Sequence, residues 1–231
     1  MKDIRKAEHE GNSKPDPIFY MVHGNAGTGK SHVIRTVAEW VQLILQRPGD
    51  NLECPYVLKT AFTGTAASLI EGMTLHSAFG LEFGNNYYTL SDKIRDAKKR
   101  QLSKLEMILL DEISMVKSDL IYQLDLRLQE IKGKPRVPFG GVSILCFGDI
   151  LQLCPVMGKF AFEEPKNPSF KVTYHLDSRW EKMKVINLEK NHRQGKSREY
   201  ADMLNRIRVG EHTSEDLETL RKRIRPSGHE D

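Results

Sequence analysis

The stretch that decides the fold is Gly24-Asn25-Ala26-Gly27-Thr28-Gly29-Lys30-Ser31. It matches the pattern G-x-x-x-x-G-K-S/T, in which glycines let backbone N–H groups turn inward around phosphate oxygens. The apolar run from Ile18 to Val22 precedes it and predicts a buried strand. Apolar residues then recur at helical spacing from Val33 to Leu45. Because the stretch lies between a strand and a helix, it favours a phosphate-binding loop over a glycine-rich connector that carries a lysine by chance.

The chemistry of such a loop assigns roles to its residues. All eight positions from Gly24 to Ser31 are candidates for nucleotide binding, and the helix that begins near Lys30 directs its positive end at the same anion. We expect Lys30 to reach the β- and γ-phosphates of a nucleoside triphosphate. We expect the Ser31 hydroxyl to bind Mg²⁺.

Further strands alternate with helices along the chain. Apolar runs predict four of them, near Tyr56–Phe62, Met107–Leu110, Val142–Phe147 and Val185–Leu188. Helical spacing between them places apolar residues on one side of segments such as Leu120–Ile131. This alternation predicts an α/β fold with a mainly parallel sheet.

Polar residues follow two of these predicted strands. Asp111 and Glu112 come directly after one, at the edge of the sheet where a phosphate loop also lies. Asp111 would hold the magnesium shell, and Glu112 would be a base that activates water. Gln152 follows the next strand, and its amide suits a contact with the γ-phosphate or the attacking water. A solvated polar turn remains the alternative for both positions.

Arg193, in Asn191-His192-Arg193-Gln194, is a candidate arginine finger that would stabilise charge on the transferred phosphate. An arginine that follows a strand is otherwise an ordinary solvated side chain.

Composition excludes several classes of protein. The 231 residues are 39% hydrophobic and 29% charged, with a net charge of +4, which is typical of a globular domain and too weak to diagnose a nucleic-acid binder by itself. No apolar run approaches the ~20 residues of a membrane span. Three cysteines cannot form a disulfide framework, and we expect Cys146 and Cys154 to be buried thiols.

Three segments depart from the simple alternation. We interpret residues 1–17, which are polar and rich in charge, as a flexible lead-in. Residues 80–104 carry a basic helix that is a candidate insertion. Residues 191–231 carry two amphipathic helices with no strand after them, which suggests the beginning of a second, truncated domain. Residues 18–190 would then be the first domain.

Together these motifs resemble the Pif-one-like helicases of superfamily 1B, which are related to RecD. The phosphate loop, Asp111-Glu112-Ile113-Ser114-Met115-Val116 and the segment from Gly148 to Val156 carry the resemblance, in family order and spacing from about Ile18 to Gly210. Four more segments contribute to it: Thr63-Gly64-Thr65-Ala66-Ala67, Gly72-Met73-Thr74-Leu75-His76-Ser77-Ala78-Phe79, Asn191-His192-Arg193-Gln194 and Leu204-Asn205-Arg206-Ile207-Arg208-Val209-Gly210.

The resemblance implies a RecA-like P-loop domain that uses ATP and Mg²⁺ to move 5′-to-3′ on single-stranded DNA and to open duplex junctions. It implies that Gln152 and Arg193 contact the γ-phosphate. It also implies that Thr63, Gly64, His76 and Ser77 line the path of the DNA strand, and that residues 80–104 form a small wedge. Phe62 or Phe79 would be candidates for stacking on a base, with a place in the core as an equally good alternative for either. Roles in DNA repair, recombination or telomere maintenance, in the nucleus or the mitochondrion, follow for the family.

Family members also carry an upstream glutamine segment and a second complete RecA-like domain, which these 231 residues do not match. We therefore expect the chain alone to bind Mg-nucleotide weakly, to hydrolyse it slowly and not to unwind a duplex. A nucleotide- or DNA-binding module, such as a remnant of a mobile element, is the alternative function. A nucleotide kinase is a weaker one, because the sequence has no arginine-rich lid.

Overall fold

A six-stranded sheet forms the centre of the fold in the computed structural model, which describes residues 15–192 and 198–224. Every strand pairing in the sheet is parallel. The strands, in chain order, are β1 (Phe19–Gly24), β2 (Val57–Ala61), β3 (Met73–Thr74), β4 (Met107–Asp111), β5 (Ser143–Gly148) and β6 (Lys184–Leu188). Their order across the sheet is β3-β2-β4-β5-β1-β6.

Helices connect the strands and follow the last of them. They are α1 (Lys30–Leu45), α2 (Gly64–Leu69), α3 (Leu75–Phe79), α4 (Asp92–Gln101), α5 (Ser118–Lys132), α6 (Pro168–Leu176), α7 (Arg198–Val209) and α8 (Ser214–Arg221), together with 3₁₀ turns at Ile113–Met115 and Pro138–Gly141. None of the helices in the described ranges has the length and apolar character that a bilayer crossing requires.

The core has two layers, one on each face of the sheet. Along β4, Met107 and Leu109 pack with buried residues of α1 and α2, whereas Ile108 and Leu110 pack with those of α3 and α5. Successive side chains of a strand point to opposite faces, so this alternation shows that helices cover both sides. All five residues of β4 are buried. Asp111, at the carboxyl end of β4, is therefore anchored by a strand that is packed on both faces.

The predicted fold class is confirmed, but the structure differs from the prediction in some details. The sequence analysis predicted five strands and missed β3, because two residues are too short to show a period. The thiol of Cys146 is buried as predicted, but the prediction for Cys154 is wrong, since it is exposed. Cys154 belongs to the turn after β5, which leaves the sheet toward solvent.

The predicted basic helix of residues 80–104 is α4, and none of its residues is buried. The segment is held to the domain by α5. Arg127, which is buried in α5, donates hydrogen bonds to the carbonyls of Gly80 (3.2 Å) and Tyr88 (2.9 Å). Gln123 donates to the carbonyls of Gly84 (3.0 Å) and Asn86 (2.9 Å).

The two amphipathic helices predicted after Asn191 are present as α7 and α8. Arg206 of α7 forms a two-pronged ion pair with Asp216 of α8, with N–O distances of 2.8 and 2.6 Å. The division at residue 190 stays a prediction, as does the flexible lead-in, of which residues 1–14 lie outside the described residues.

Candidate nucleotide site

The phosphate loop joins β1 to α1 and has the backbone that its glycines permit. Gly27 and Gly29 have φ angles of +85° and +89°, a region that favours glycine. Gly24 ends β1, and a Cβ there would lie 2.5 Å from the Thr28 hydroxyl. The chain therefore turns tightly from the strand into α1, so that the N-terminus of a 16-residue helix faces the loop.

Lys30 and Ser31 are the first two residues of α1. The Lys30 ammonium donates hydrogen bonds to the carbonyls of Gly24 (2.8 Å) and Asn25 (3.1 Å). Its charge is thus held over the mouth of the loop, where a phosphate would replace those carbonyls as its partner.

Asp111 and Glu112 are placed by β4. Asp111 is the last residue of the strand, and its carboxylate accepts a hydrogen bond from the N–H of Glu112 (2.9 Å). The pKa of Asp111 is raised to about 6, mainly by burial; the hydrogen bond from the Glu112 N–H and the charge of Lys30 lower it, and the charge of Glu112 raises it. Glu112 has a left-handed backbone (φ 56°, ψ 47°). This conformation breaks the strand, so that two consecutive carboxylates leave it in different directions.

The turn after β5 carries Gln152. The Asp149 carboxylate, which is buried, accepts hydrogen bonds from the N–H of Leu151 (3.1 Å) and from the Gln152 side-chain amide (3.3 Å). The Gln152 N–H also donates to the Asp149 carbonyl (3.0 Å). Asp149 therefore fixes both the turn and the amide at its end.

The segment after β6 closes the loop from the other side. The N–H of His192 donates to the Gly27 carbonyl (2.8 Å), and the Asn191 amide donates to the Ala26 carbonyl (3.1 Å). Arg193, the candidate arginine finger, lies outside the described residues.

These elements enclose one open cavity of about 550 Å³ at the carboxyl edge of the sheet. Its lining includes most of the predicted nucleotide-site residues together with side chains from α1 and α2: Ala26, Gly27, Gly29, Lys30, Ser31, His32, Arg35, Ala66, Leu69, Asp111, Glu112, Gln152 and His192. The phosphates of a nucleotide fit a cavity of this size. The cationic, carboxylate and amide groups of the lining residues converge on it.

The donor set also fits Mg²⁺. Within the described residues no group of three or more His, Cys, Asp or Glu forms a cage for a metal ion. Magnesium is usually held by one or two protein oxygens together with substrate phosphates, and Ser31 and Asp111 line the same cavity. A cation there would compensate the buried charge that the raised pKa of Asp111 reveals.

The four candidate DNA contacts lie at the ends of β2 and β3. Thr63 caps α2, where its hydroxyl accepts from the N–H of Ala66 (3.2 Å), and Gly64 is the first residue of that helix. His76 and Ser77 belong to α3, which directly follows β3. Because β2 and β3 are parallel neighbours, both segments emerge at the same edge. Ala66 and Leu69 of α2 also line the nucleotide cavity, but the four candidate DNA contacts do not.

The two aromatic residues near these segments, Phe62 and Phe79, take the core alternative rather than the base-stacking one. Phe79 is fully buried, so it cannot stack on a base, and Phe62 packs against the core. Instead the exposed Phe83 ring stacks on His76, with centroids 4.5 Å apart. Burial lowers the pKa of His76, and the charge of Lys117 lowers it further.

A family model described as PIF1-like helicase matches residues 2–218 of the chain. The chain belongs to the PIF1-like helicase family. Among curated relatives, the ATP-dependent DNA helicase PIF1 of Saccharomyces cerevisiae is 34% identical over 213 residues, which are 90% of this chain and 23% of that protein. The Emericella nidulans protein of the same name is 32% identical over 232 residues, 97% of this chain and 28% of that protein.

Solved structures of PIF1-like helicases have the same fold. Pif1 helicase from Candida albicans aligns with a TM-score of 0.67 and 28% identity, covering 93% of this chain and 46% of that one. Pif1 from Bacteroides, in complex with ADP-AlF3 and ssDNA, aligns with a TM-score of 0.66 and 26% identity, covering 99% of this chain and 51% of that one. The chain thus spans about a quarter of those curated relatives and about half of those solved chains.

Sequence reasoning missed several residues of this PIF1-like site. His192 enters the cavity, and Asp149 organises Gln152, although both lie inside recognised motifs. Asn205 and Arg208 of α7 reach the phosphate loop and the Asp149 turn. Both lie in the segment from Leu204 to Gly210 that contributes to the resemblance, and their spacing of three residues puts them on one face of α7.

Proposed function

We propose that the chain is the motor portion of an ATP-dependent DNA helicase that couples Mg-ATP hydrolysis to 5′-to-3′ movement on single-stranded DNA. The observation that carries the proposal is that Lys30, Ser31, Asp111, Glu112 and Gln152 line one cavity. A helicase needs all these groups together, whereas a protein that only binds nucleotide needs no base.

The residues divide the chemistry among them. The loop from Gly24 to Ser31 binds the phosphates, and Lys30 neutralises charge on the β- and γ-oxygens. Ser31 and Asp111 would hold Mg²⁺, which supplies further charge neutralisation when bound. Glu112 takes the proton of the attacking water, and the Gln152 amide orients that water or the γ-phosphate. Arg193 is proposed as the arginine finger.

Single-stranded DNA is the proposed partner at the ends of β2 and β3. Thr63, Gly64, His76 and Ser77 offer hydroxyls, a ring nitrogen and backbone N–H groups, which hold phosphates without reading sequence. The basic helix α4 would lie at a duplex junction. Support comes from the Bacteroides relative, whose structure was determined with ssDNA. We propose roles in DNA repair, recombination or telomere maintenance, in the nucleus or mitochondrion.

ATP turnover with and without single-stranded DNA tests the proposal, on the chain and on Lys30→Ala. We expect turnover that DNA stimulates in the parent and that Lys30→Ala abolishes. Nucleotide and DNA binding without any turnover would instead support the binding module. Turnover that persists in Lys30→Ala would reject the site.

A further inference from the structure

Helix α7 contacts the nucleotide site at two points, although it lies outside the sheet. The side-chain amide of Asn25, in the phosphate loop, donates to Asn205 of α7 (2.7 Å). One turn later, the guanidinium of Arg208 forms an ion pair with Asp149 and lies 3.4 Å from the ring of His23. The two contacts are on the same face of the helix.

Asp149 connects the second contact to the nucleotide. Its carboxylate is 1% exposed and accepts from the Gln152 amide on one oxygen and from Arg208 on the other. A buried carboxylate that loses its cation leaves an uncompensated charge, which is strongly unfavourable. If α7 moved away, the Asp149 carboxylate would need water in place of Arg208. The turn that carries Gln152 would then have to rearrange to expose that carboxylate.

We propose that Arg208 is a positioning residue that transmits the position of α7 through Asp149 to Gln152, so that a helix outside the sheet sets the γ-phosphate end of the nucleotide site. The proposal rests on the proposed function, because it takes Gln152 to be the γ-phosphate contact. It implies that α7 in this position favours a nucleoside triphosphate over a diphosphate.

The test compares the affinities of Mg-ADP and of a non-hydrolysable Mg-ATP analogue for the full chain and its variants. We expect Arg208→Gln to lower the preference for the analogue about tenfold, the loss of one charge-assisted hydrogen bond, with the affinity for ADP unchanged. Gln152→Ala should do the same. Because both residues act on one contact, the double variant should lose no more than either single one.

Arg206→Gln is the matched control. Arg206 is on the same helix but is paired with Asp216 of α8, so its loss loosens α7–α8 packing without touching Asp149. It should leave the preference unchanged. Arg208→Lys should restore part of it, because the ammonium keeps a cation for Asp149. Asp149→Asn, which keeps the shape and removes the charge, should reproduce the loss even if Arg208→Gln fails to fold.

The outcomes separate the two proposals. Equal weakening of ADP and analogue by Arg208→Gln, or losses that add in the double variant, would overturn the role of Arg208. If Gln152→Ala lowers the preference and both Arg208→Gln and Asp149→Asn leave it intact, the inference alone fails. If Gln152→Ala leaves the preference intact, the proposed function loses its γ-phosphate contact and the inference falls with it.

Discussion

Glu112 differs from the other carboxylate of its motif in both backbone and burial. It has a left-handed backbone and is half-buried, whereas Asp111 is buried at the end of β4. Glu112 is thus free to meet a water molecule in the cavity, while Asp111 suits a metal ion. The two residues are adjacent in sequence, yet the turn places them in different surroundings, which suits the different roles proposed for them.

Replacing Glu112 by Gln removes the base and keeps the shape. We expect Mg-nucleotide affinity to stay within a few-fold and turnover to fall about 10²–10⁴-fold, the usual contribution of a positioned base. Nucleotide titration and steady-state turnover measure the two effects. The exposed Glu82→Gln serves as a control that should change neither. Parental turnover by Glu112→Gln would show that another group activates the water.

Asp111, the proposed magnesium ligand, is expected to cost stability in the ligand-free protein. Its pKa rises from 3.8 to about 6 on burial, so the folded state binds more protons than the unfolded state between those values, and stability falls as pH rises through that window. Asp111→Asn should therefore stabilise the ligand-free protein at pH 8, by about 2–3 kcal/mol, and less at pH 5. It should also weaken Mg-nucleotide binding.

Thermal and urea unfolding at the two pH values check this expectation. Asp92→Asn is the control, because Asp92 is exposed and its surface pair with Arg95 contributes little. A stabilisation by Asp111→Asn that is the same at pH 5 and pH 8 would contradict the proposed cause.

Many of the residues that line the candidate nucleotide cavity were predicted from the sequence. Fixed spacing identifies Lys30 and Ser31, and an apolar run that ends in two carboxylates identifies Asp111 and Glu112. Contacts made by distant segments leave no such pattern. The pairing of Arg208 with Asp149 joins residues 59 positions apart, and nothing local to either one specifies the other.

The attachment of residues 80–104 to α5 relies strongly on one buried guanidinium, that of Arg127. The Arg127 side chain is 2% exposed, donates to Glu130 (2.6 Å) and to two carbonyls of the insertion, and lies 5.0 Å from the centre of the Tyr87 ring. The Tyr87 hydroxyl donates to the same Glu130 (2.6 Å). These contacts join α5 to a segment that has few buried apolar residues.

Arg127→Ala should lower the free energy of unfolding by roughly 3 kcal/mol, since it removes the cation that pairs with Glu130 and leaves the carbonyls of Gly80 and Tyr88 without this donor. We also expect faster amide exchange over residues 80–90, with nucleotide affinity little changed. Denaturant titration and hydrogen exchange test both effects. Arg95→Ala, which breaks only an exposed pair, should cost less than ~1 kcal/mol. Equal losses in the two variants would show that the buried network does not hold the insertion.

The sequence predicted the boundaries of those elements that are long enough for their hydrophobic period to repeat several times. The pattern of α1 was clear over four turns, and each long apolar run gave a strand. The short elements β3 and α3 were not predicted, because two and five residues cannot display a period. They form because β2 offers β3 a partner edge and Thr74 caps α3, where its hydroxyl accepts from the N–H of Ser77 (3.2 Å).

Across the molecule, the carboxyl edge of the sheet carries the candidate nucleotide cavity and the candidate DNA contacts side by side. Binding of single-stranded DNA should depend little on base sequence and fall with salt, by ~0.7 in the logarithmic slope for each phosphate contacted. Fluorescence titration with homopolymers of different base, at several salt concentrations, measures this. A strong preference for one sequence at constant salt would contradict phosphate contacts at Thr63, Gly64, His76 and Ser77.

The strand order has a further consequence for how the chain is made. The strand β1, which carries the phosphate loop, lies between β5 and β6, which come after the other described strands in the chain and so leave the ribosome later than those do. Phe19 pairs with Ile144, a separation of 125 residues, so the loop has no fixed support until most of the chain has been synthesised. We expect nascent chains that stop before Ser143 to hold no nucleotide, although their phosphate loop is complete. ATP would then bind and stabilise only those molecules in which β5 and β6 have already paired with β1.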